Sequence, residues 1–391
     1  METGTSSELR TEAPAAGNPA GHDRAPGTTG SPVAGLAPAD EGRFAQLREA
    51  LSFRRVSAAY ILVAMLIVFA FWIPDLFYRW TTIRSVLFED SVTAILGIGL
   101  VVPFAAGAFD ASVGANMGLA SVLVGELTVV MGLPAIPALI ITLLAGAAVG
   151  AVNGLVVVGL GVDSIIATLA MMSVLTGLGA APNNGQIITG LPPLINNLGA
   201  AQLAGLALPV WLMLVLALVI WYVLEKTIVG RHIYATGGNA KAARLAGVRT
   251  KRIIVVSLVV SGLISAFGGI VASGRVDAGQ AAIGPPYLLP AFAAAFLGAT
   301  QIKVGRFNIW GTVLATYTLA TGLAGLSLAG APSWLPDVFD GVALALAVGL
   351  SIRRNRPRAG SADGDEENRV ARLRRMILSP RGNREAAEPA D

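Results

Sequence analysis

Acidic residues inside apolar stretches are the first candidates for chemistry in this chain. Asp110, Glu126 and Asp163 each stand in or beside a long apolar run, where an ionisable group is costly and usually faces a pathway or the interior of a bundle. Asp110 is the most informative, because residues 107–114 read Gly-Ala-Phe-Asp-Ala-Ser-Val-Gly. Glycines at both ends with small residues between them indicate a helix break, whose free backbone groups must be satisfied by protein or line a cavity.

A second segment follows the same pattern. Residues 298–305 read Gly-Ala-Thr-Gln-Ile-Lys-Val-Gly, so both segments place Gly-Ala, four other residues and Val-Gly after an apolar run. Matched breaks in two halves of a membrane protein indicate an internal duplication. A chance match is the competing interpretation, since the chain is rich in glycine, alanine and valine.

Several classes of enzyme site are missing from the sequence. The chain has no cysteine, which excludes disulfides, thiolate chemistry and cysteine-ligated metals. Its histidines, His22 and His232, both lie in polar segments, so we expect no histidine and no metal site at membrane depth. There is no Walker-type phosphate loop, no zinc-protease HExxH and no GxSxG elbow, so we expect neither a nucleotide site of that kind nor an enzyme.

A polar loop near the middle of the chain predicts a short helix outside the membrane. Asn239 is a good N-cap, residues 240–246 are strong helix formers, and Gly247 suits the position just past a helix end. A short capped helix in a basic loop is suited to docking in a groove of another protein. An ordinary solvated connector is the alternative.

The composition indicates a membrane protein. Hydrophobic residues make up 54% of the chain and charged residues only 13%, whereas soluble domains carry about 25% charged residues. The charges concentrate at the two ends. We therefore predict a disordered polar tail over 1–45, a membrane domain over 46–352 and a cytoplasmic charged tail over 353–391.

The membrane domain is predicted to be an all-α bundle of about ten spans. The predicted spans are 58–78, 87–107, 113–132, 135–158, 164–182, 208–225, 253–273, 286–300, 308–328 and 336–352. Arginines and lysines concentrate in alternate loops, which places both termini in the cytoplasm by the positive-inside rule. The basic residues flank apolar runs, so we interpret them as residues that set the orientation of the chain in the lipid membrane. We therefore expect no nucleic-acid partner.

Three glycines mark a packing face. Gly146, Gly150 and Gly154 recur at every fourth position along the predicted span 135–158. This spacing removes side chains from one helical face and lets a neighbouring backbone approach closely. It predicts a compact bundle and says nothing about a substrate.

The chain resembles a known family, the ribose-type (simple-sugar) permeases of ABC importers, within the branched-chain amino acid/ribose permease superfamily. The segment from Gly230 to Val248 resembles the family's coupling segment, and Asp110-Ala-Ser-Val-Gly114 resembles its Asp-Leu-Ser-Val-Gly signature. Residues 166–172, Asn184-Gly185 and 298–311 also fit, and the resemblance covers residues 55–352.

The resemblance implies a transport subunit of the bacterial plasma (inner) membrane that works with partners. These would be a second permease copy, a cytoplasmic ABC ATPase that binds ATP and Mg, and an extracytoplasmic sugar-binding protein, while this chain itself holds no cofactor. The implied coupling residues are Asn239, Lys241, Ala242, Ala243, Arg244, Leu245 and Gly247. Because a sugar is neutral, candidates for its pathway are residues at the signature segments and polar side chains, namely Asp110, Ser112, Gly114, Asn184 and Gln301.

Other functions stay open at this level. Within the family, a nucleoside or another small polar solute is an alternative to a simple sugar such as ribose, xylose or galactose. Outside it, a secondary transporter driven by an ion gradient needs a relay of carboxylates or histidines in its spans, and Glu126 with Asp110 would have to supply it.

Overall fold

The structure is a computed structural model that describes residues 57–77, 79–303 and 305–355. The predicted N-terminal tail lies outside these residues, and so does the predicted C-terminal tail beyond residue 355.

Helices dominate the described residues. In chain order they are α1 Ser57–Trp72, α2 Pro74–Phe77, α3 Trp80–Glu89, α4 Ser91–Ala105, α5 Val113–Gly125, α6 Ala135–Leu155, α7 Ser164–Ala180, α8 Pro193–Ala200, α9 Leu208–Lys226, α10 Ile228–Gly238, α11 Ala240–Leu245, α12 Thr250–Val276, α13 Leu288–Ala299, α14 Ile309–Leu328 and α15 Leu335–Asn355. Wider π-helical turns, Glu126–Val130 and Val156–Leu160, extend α5 and α6. Two 3₁₀ turns, Ala281–Ile283 and Pro285–Tyr287, precede α13.

The prediction of an all-α fold needs a small correction. Four two-residue strands are present in the described part, and they form two antiparallel pairs. β1, Ile188–Thr189, pairs with β4, Ala278–Gly279, and β2, Gln202–Leu203, pairs with β3, Leu206–Ala207. These pairs tie connecting segments together and leave the helical class unchanged.

Seven helices in the described part are long and apolar enough to cross a membrane. They are Trp80–Ala105, Val113–Val130, Ala135–Leu160, Leu208–Lys226, Thr250–Val276, Ala281–Ala299 and Ile309–Leu328. The remaining predicted spans correspond to α1 with α2, to α7 and to α15. The first of these is interrupted before Pro74, which has no N–H to continue the α-helical ladder.

Helix α4 lies at the centre of the bundle. All 15 of its residues are buried, and it contacts α9, α12, α13 and α14. A helix that is apolar on every side can be stable only when other helices surround it. Four of the other spanning helices therefore pack around α4, which fills the position where a channel through the single chain would run.

Helices α6 and α12 pack with almost no side chain between their backbones. The residues of α6 that face α12 most closely are Gly146, Gly150 and Gly154. A Cβ atom at Gly150 would lie less than 3.0 Å from the Leu258 carbonyl oxygen, closer than real Cβ atoms approach. The predicted glycine stripe thus lies on this helix crossing, where the absence of side chains permits the approach.

We expect Gly150→Ala to destabilise the bundle, because the added methyl group overlaps the α12 backbone. Overpacking of this kind costs about 1–3 kcal/mol, so the thermal unfolding midpoint of the purified protein in detergent should fall. Gly177→Ala in α7 is the matched control, since nothing lies within 4 Å of the added Cβ. Equal midpoints for the two variants would contradict this account of the crossing.

Candidate functional site

The first helix break joins α4 to α5 and contains Asp110. The Asp110 side chain is buried, and its Oδ1 atom accepts hydrogen bonds from the Ser112 main-chain N–H at 3.1 Å and the Ser112 hydroxyl at 2.6 Å. The carboxyl group thereby closes the turn locally, as Asp side chains do when they bond backbone two residues ahead.

Helix α7 fixes this break through two hydroxyl groups. The main-chain N–H of Phe109 donates to the Ser164 hydroxyl at 3.0 Å, and that of Ala111 donates to the Thr168 hydroxyl at 3.0 Å. These N–H groups lie outside α4 and α5 and have no partner within either helix. The α7 hydroxyls supply the partners that buried backbone donors require.

Helices α6 and α12 complete the polar cluster around the break. Asn153 of α6 donates to the Ser112 hydroxyl at 2.8 Å. Asn116 of α5 donates to the Gly262 carbonyl at 2.9 Å and to the Ser265 hydroxyl at 2.7 Å, both on α12. These partners were not predicted from the sequence, although amide side chains inside apolar spans are a signal for them.

The cluster around Asp110 acts as a structural lock in this conformation. Asp110 and Ser112 are each only 1% exposed, so neither is open to a solute. Glu126, the other buried carboxylate considered for a relay, lies beyond the far end of α5. At 1.5 Å per residue the 13 residues of α5 separate the two carboxylates by about 20 Å. A direct carboxylate relay is therefore disfavoured.

The second break joins α13 to α14 and is organised by Asn308. Its amide nitrogen donates to the carbonyls of Gly298 at 3.0 Å and Gln301 at 3.2 Å, and its Oδ1 atom accepts from the Gly311 N–H at 2.7 Å. Asn308 was not predicted from the sequence, although its place just before the apolar run of α14 is typical of an N-cap. Gln301, a predicted pathway residue, is 1% exposed.

Five phenylalanines join the two breaks. They are Phe104, Phe109, Phe292, Phe296 and Phe307. The Phe104 ring, at the end of α4, lies 5.1 or 5.2 Å from each of the other four ring centroids. Tilted and edge-on arrangements of this kind are favourable for aromatic rings. The cluster packs the end of α4 tightly and holds the two breaks together.

Helix α10 contacts both breaks. Gly237 lies against the first break so closely that a Cβ atom there would clash with the Ala105 carbonyl oxygen. Tyr234, one turn earlier, donates its hydroxyl proton to the Phe307 carbonyl at 2.7 Å, and the Arg306 guanidinium stacks on its ring at 3.4 Å. Burial raises the pKa of Tyr234 to about 12, so the phenol stays a donor at neutral pH.

A cavity of about 690 Å³ opens beside α10. Its walls include Arg231 and Arg306, with Phe104 and Phe307 on the apolar side. The Lys303 ammonium pairs with Glu225 at the end of α9. The end of the molecule that carries α10 and α11 is thus basic and bonded firmly to both breaks.

Helix α11 projects from this end. Asn239 caps it by accepting a hydrogen bond from the Ala242 N–H at 3.0 Å, and Gly247 follows it with a φ of 85°. Ala243 is buried against the protein, whereas Leu245 is 92% exposed. The remaining implied coupling residues with exposed side chains are Lys241, Ala242 and Arg244. An apolar side chain this exposed on a rigid, capped helix is a candidate anchor for another protein.

The five predicted pathway residues do not form one site. Asp110 and Ser112 belong to the first break, Gln301 lies beside the second, and Gly114 packs in the first turn of α5. Asn184 is exposed in the turn after α7, with a left-handed φ of 55°. Of the five, Asn184 is the one whose side chain is open in this conformation.

Comparison with known proteins identifies relatives over most of the chain. A family model described as branched-chain amino acid transport system / permease component matches residues 82–348. The ribose import permease protein RbsC of Escherichia coli K12 is 32% identical over 293 residues, 73% of this chain and 91% of the relative. RbsC of Bacillus subtilis is 32% identical over 275 residues, 70% of this chain and 85% of the relative.

A third relative carries a different sugar. The D-allose transport system permease protein AlsC of Escherichia coli K12 is 28% identical over 301 residues, 77% of this chain and 92% of the relative. No solved structure matches the chain.

We expect Asp110→Ala to lower the thermal unfolding midpoint of the purified protein, because Ser112 would lose the acceptor for its N–H and hydroxyl groups. A buried donor left without a partner costs about 1–3 kcal/mol. Asp110→Asn keeps one acceptor oxygen and should retain most of the stability. A wild-type midpoint for the Ala variant would show that the break is held without this carboxyl group.

Proposed function

Since the chain belongs to the permease family of ABC sugar importers, we propose that it is the multi-pass permease subunit that moves a simple sugar, such as ribose, xylose or galactose, into the cytoplasm. The transport step is powered by a separate ATPase subunit, which binds ATP and Mg. This chain supplies the route through the membrane and no nucleotide site.

One observation carries the ATPase coupling. Helix α11 ends in the exposed Leu245, and α10, which directly precedes it, contacts both helix breaks through Gly237 and Tyr234. A displacement of α11 is therefore transmitted through α10 to the end of the central helix α4 and to the start of α14. In the proposal, an ATPase groove receives α11, and its closure on ATP moves the two breaks.

The proposed orientation puts α10 and α11 in the cytoplasm. The basic residues from the end of α9 to the first turn of α12 support it, because positive charge is retained on the cytoplasmic side. They are Lys226, Arg231, Lys241, Arg244, Arg249, Lys251 and Arg252. The proposal keeps about ten spans, which requires α1, α7 and α15 to cross the membrane with the seven longer helices, and it places both termini in the cytoplasm.

The proposed pathway lies between two copies of the permease. Helix α4 fills the centre of the single chain, which leaves the outer face of the bundle as the route for a polar solute. Lipid cannot cover such a route, so a second permease must complete it. The opposite end of the molecule, with residues 183–207, would receive the sugar from an extracytoplasmic sugar-binding protein.

We expect Leu245→Asp and Arg244→Glu to abolish ATP-dependent uptake in proteoliposomes that contain the permease, its ATPase and its binding protein. Both side chains are exposed, so folding and membrane insertion should be unaffected. Arg252→Glu is the matched charge reversal on the same side of the molecule, outside α11, and should keep most of the uptake. Full uptake by both α11 variants would contradict a role of α11 in coupling the permease to its ATPase.

We expect Gly237→Ala to reduce uptake strongly, because its methyl group would overlap the Ala105 carbonyl at the end of α4. Gly238→Ala is the matched control, since nothing lies within 4 Å of a Cβ atom there. ATP hydrolysis that continues while uptake falls in the Gly237 variant would identify loss of transmission. Equal uptake by the two variants would contradict a transmission route through this contact.

A further inference from the structure

Two guanidinium groups share the cavity beside α10. Arg231 of α10 and Arg306 of the second break both line this space of about 690 Å³, and none of the described residues around it is acidic. Neither arginine forms a salt bridge with a carboxylate in the described part of the chain, where Glu225 is paired with Lys303. Two positive charges therefore lie at the wall of an open space without an ion-pair partner.

The Arg306 guanidinium is held by its face. Its Cζ atom lies 3.4 Å from the centre of the Tyr234 ring, and the Tyr234 hydroxyl is itself fixed by the Phe307 carbonyl. The N–H bonds of a guanidinium lie in its plane, so a stacked face leaves them for other acceptors. Among the described residues the buried Arg306 Nε–H has no acceptor. The stack thus orients a donor group whose hydrogen bonds are not all made.

The cavity lies at the level where several membrane spans end. Phe104, which lines it, is the penultimate residue of the span Trp80–Ala105, and Arg306 precedes the span Ile309–Leu328 by three residues. The span Leu208–Lys226 ends directly before α10. Because a span ends where the hydrocarbon ends, the cavity is at the depth of the lipid headgroups.

The helices next to the cavity carry side chains typical of a lipid interface. The rings of Trp221 and Trp310 have their centroids 6.4 Å apart, and the Lys226 ammonium lies 5.6 Å from the Trp221 ring. Ile228 and Val229, in the first turn of α10, are 61% and 47% exposed. Tryptophan favours the headgroup level, and aliphatic side chains exposed on a basic interfacial helix favour the acyl chains below it. These neighbours make lipid a better match for the cavity than a soluble anion.

We propose that Arg231 and Arg306 bind the phosphate group of an anionic phospholipid, whose acyl chains lie along the neighbouring apolar surface. A guanidinium matches two phosphate oxygens with parallel hydrogen bonds, and basic pockets at the cytoplasmic ends of membrane helices suit anionic headgroups. The site goes beyond the proposed function, and only its assignment to the cytoplasmic leaflet rests on the proposed orientation. One bound phosphate would tie α10 to the second break.

Native mass spectrometry of the purified full-length permease in a neutral detergent tests this site. The probes are dioleoyl phosphatidylglycerol, dioleoyl phosphatidylcholine with the same acyl chains, and glycerol 3-phosphate as a soluble phosphate ester. We expect phosphatidylglycerol to bind most tightly. Arg231→Gln and Arg306→Gln should each weaken its binding about fivefold, the effect of losing one basic residue at an anionic lipid surface.

Arg252→Gln is the matched control, since it removes an exposed charge at the same end of the molecule but outside the cavity. It should bind phosphatidylglycerol as the wild type does. Arg231 is exposed, so its substitution should leave the fold intact even if Arg306→Gln loosens the contact with Tyr234.

Equal phosphatidylglycerol affinities for the control and both cavity variants would overturn the proposal, and so would equal affinities of the wild type for the two lipids. Glycerol 3-phosphate bound as tightly as phosphatidylglycerol would overturn the lipid assignment in favour of a soluble phosphate. Loss of ATPase co-purification in the cavity variants, with lipid affinity unchanged, would assign the surface to the ATPase instead. The measurement needs neither ATP nor transport, so its failure is distinguishable from failure of the proposed uptake.

Discussion

Burial of α4 on every side is the constraint on which the rest of this structure depends. Its 15 residues include no charge and no polar face, so its stability requires a complete shell of neighbouring helices. That shell closes the centre of the chain. Solute binding and conformational change are therefore confined to the ends of α4 and to the outer surface of the bundle. The helix breaks and the irregular segments lie in these places.

The end of α4 brings together parts that a transport cycle would have to move jointly. Phe104 packs against rings from both helix breaks, and Gly237 of α10 touches the backbone just beyond it. These contacts are tightly packed, and tightly packed side chains respond to a displacement by changing from one packing arrangement to another more than by deforming gradually. In this account α11 receives force from outside the membrane, and the two breaks are the elements that respond.

Much of this could be read from the residues, and the exceptions have physical reasons. Asn239 and Gly247 predicted the capped helix α11, and the glycine spacing of α6 predicted its close face, because both signals are local. Asp110 was correctly assigned to a helix break, but the partners on α6 and α7 that bond the neighbouring Ser112 and Ala111 are some 40 to 60 residues distant and depend on tertiary packing. The 3₁₀ turns before α13 were not predicted, although most of their residues fall in the gap between the predicted spans 253–273 and 286–300, because no local signal other than Pro285 and Pro286 specifies them.

The chain is proposed to be a passive permease that is driven by another subunit. The most direct measurement is uptake of radiolabelled simple sugars into proteoliposomes, with and without the cognate ATPase and ATP on the side of α11. We expect uptake against a gradient only when the ATPase, ATP and the sugar-binding protein are all present. Undiminished concentrative uptake by this chain alone, driven by a proton or sodium gradient, would contradict it.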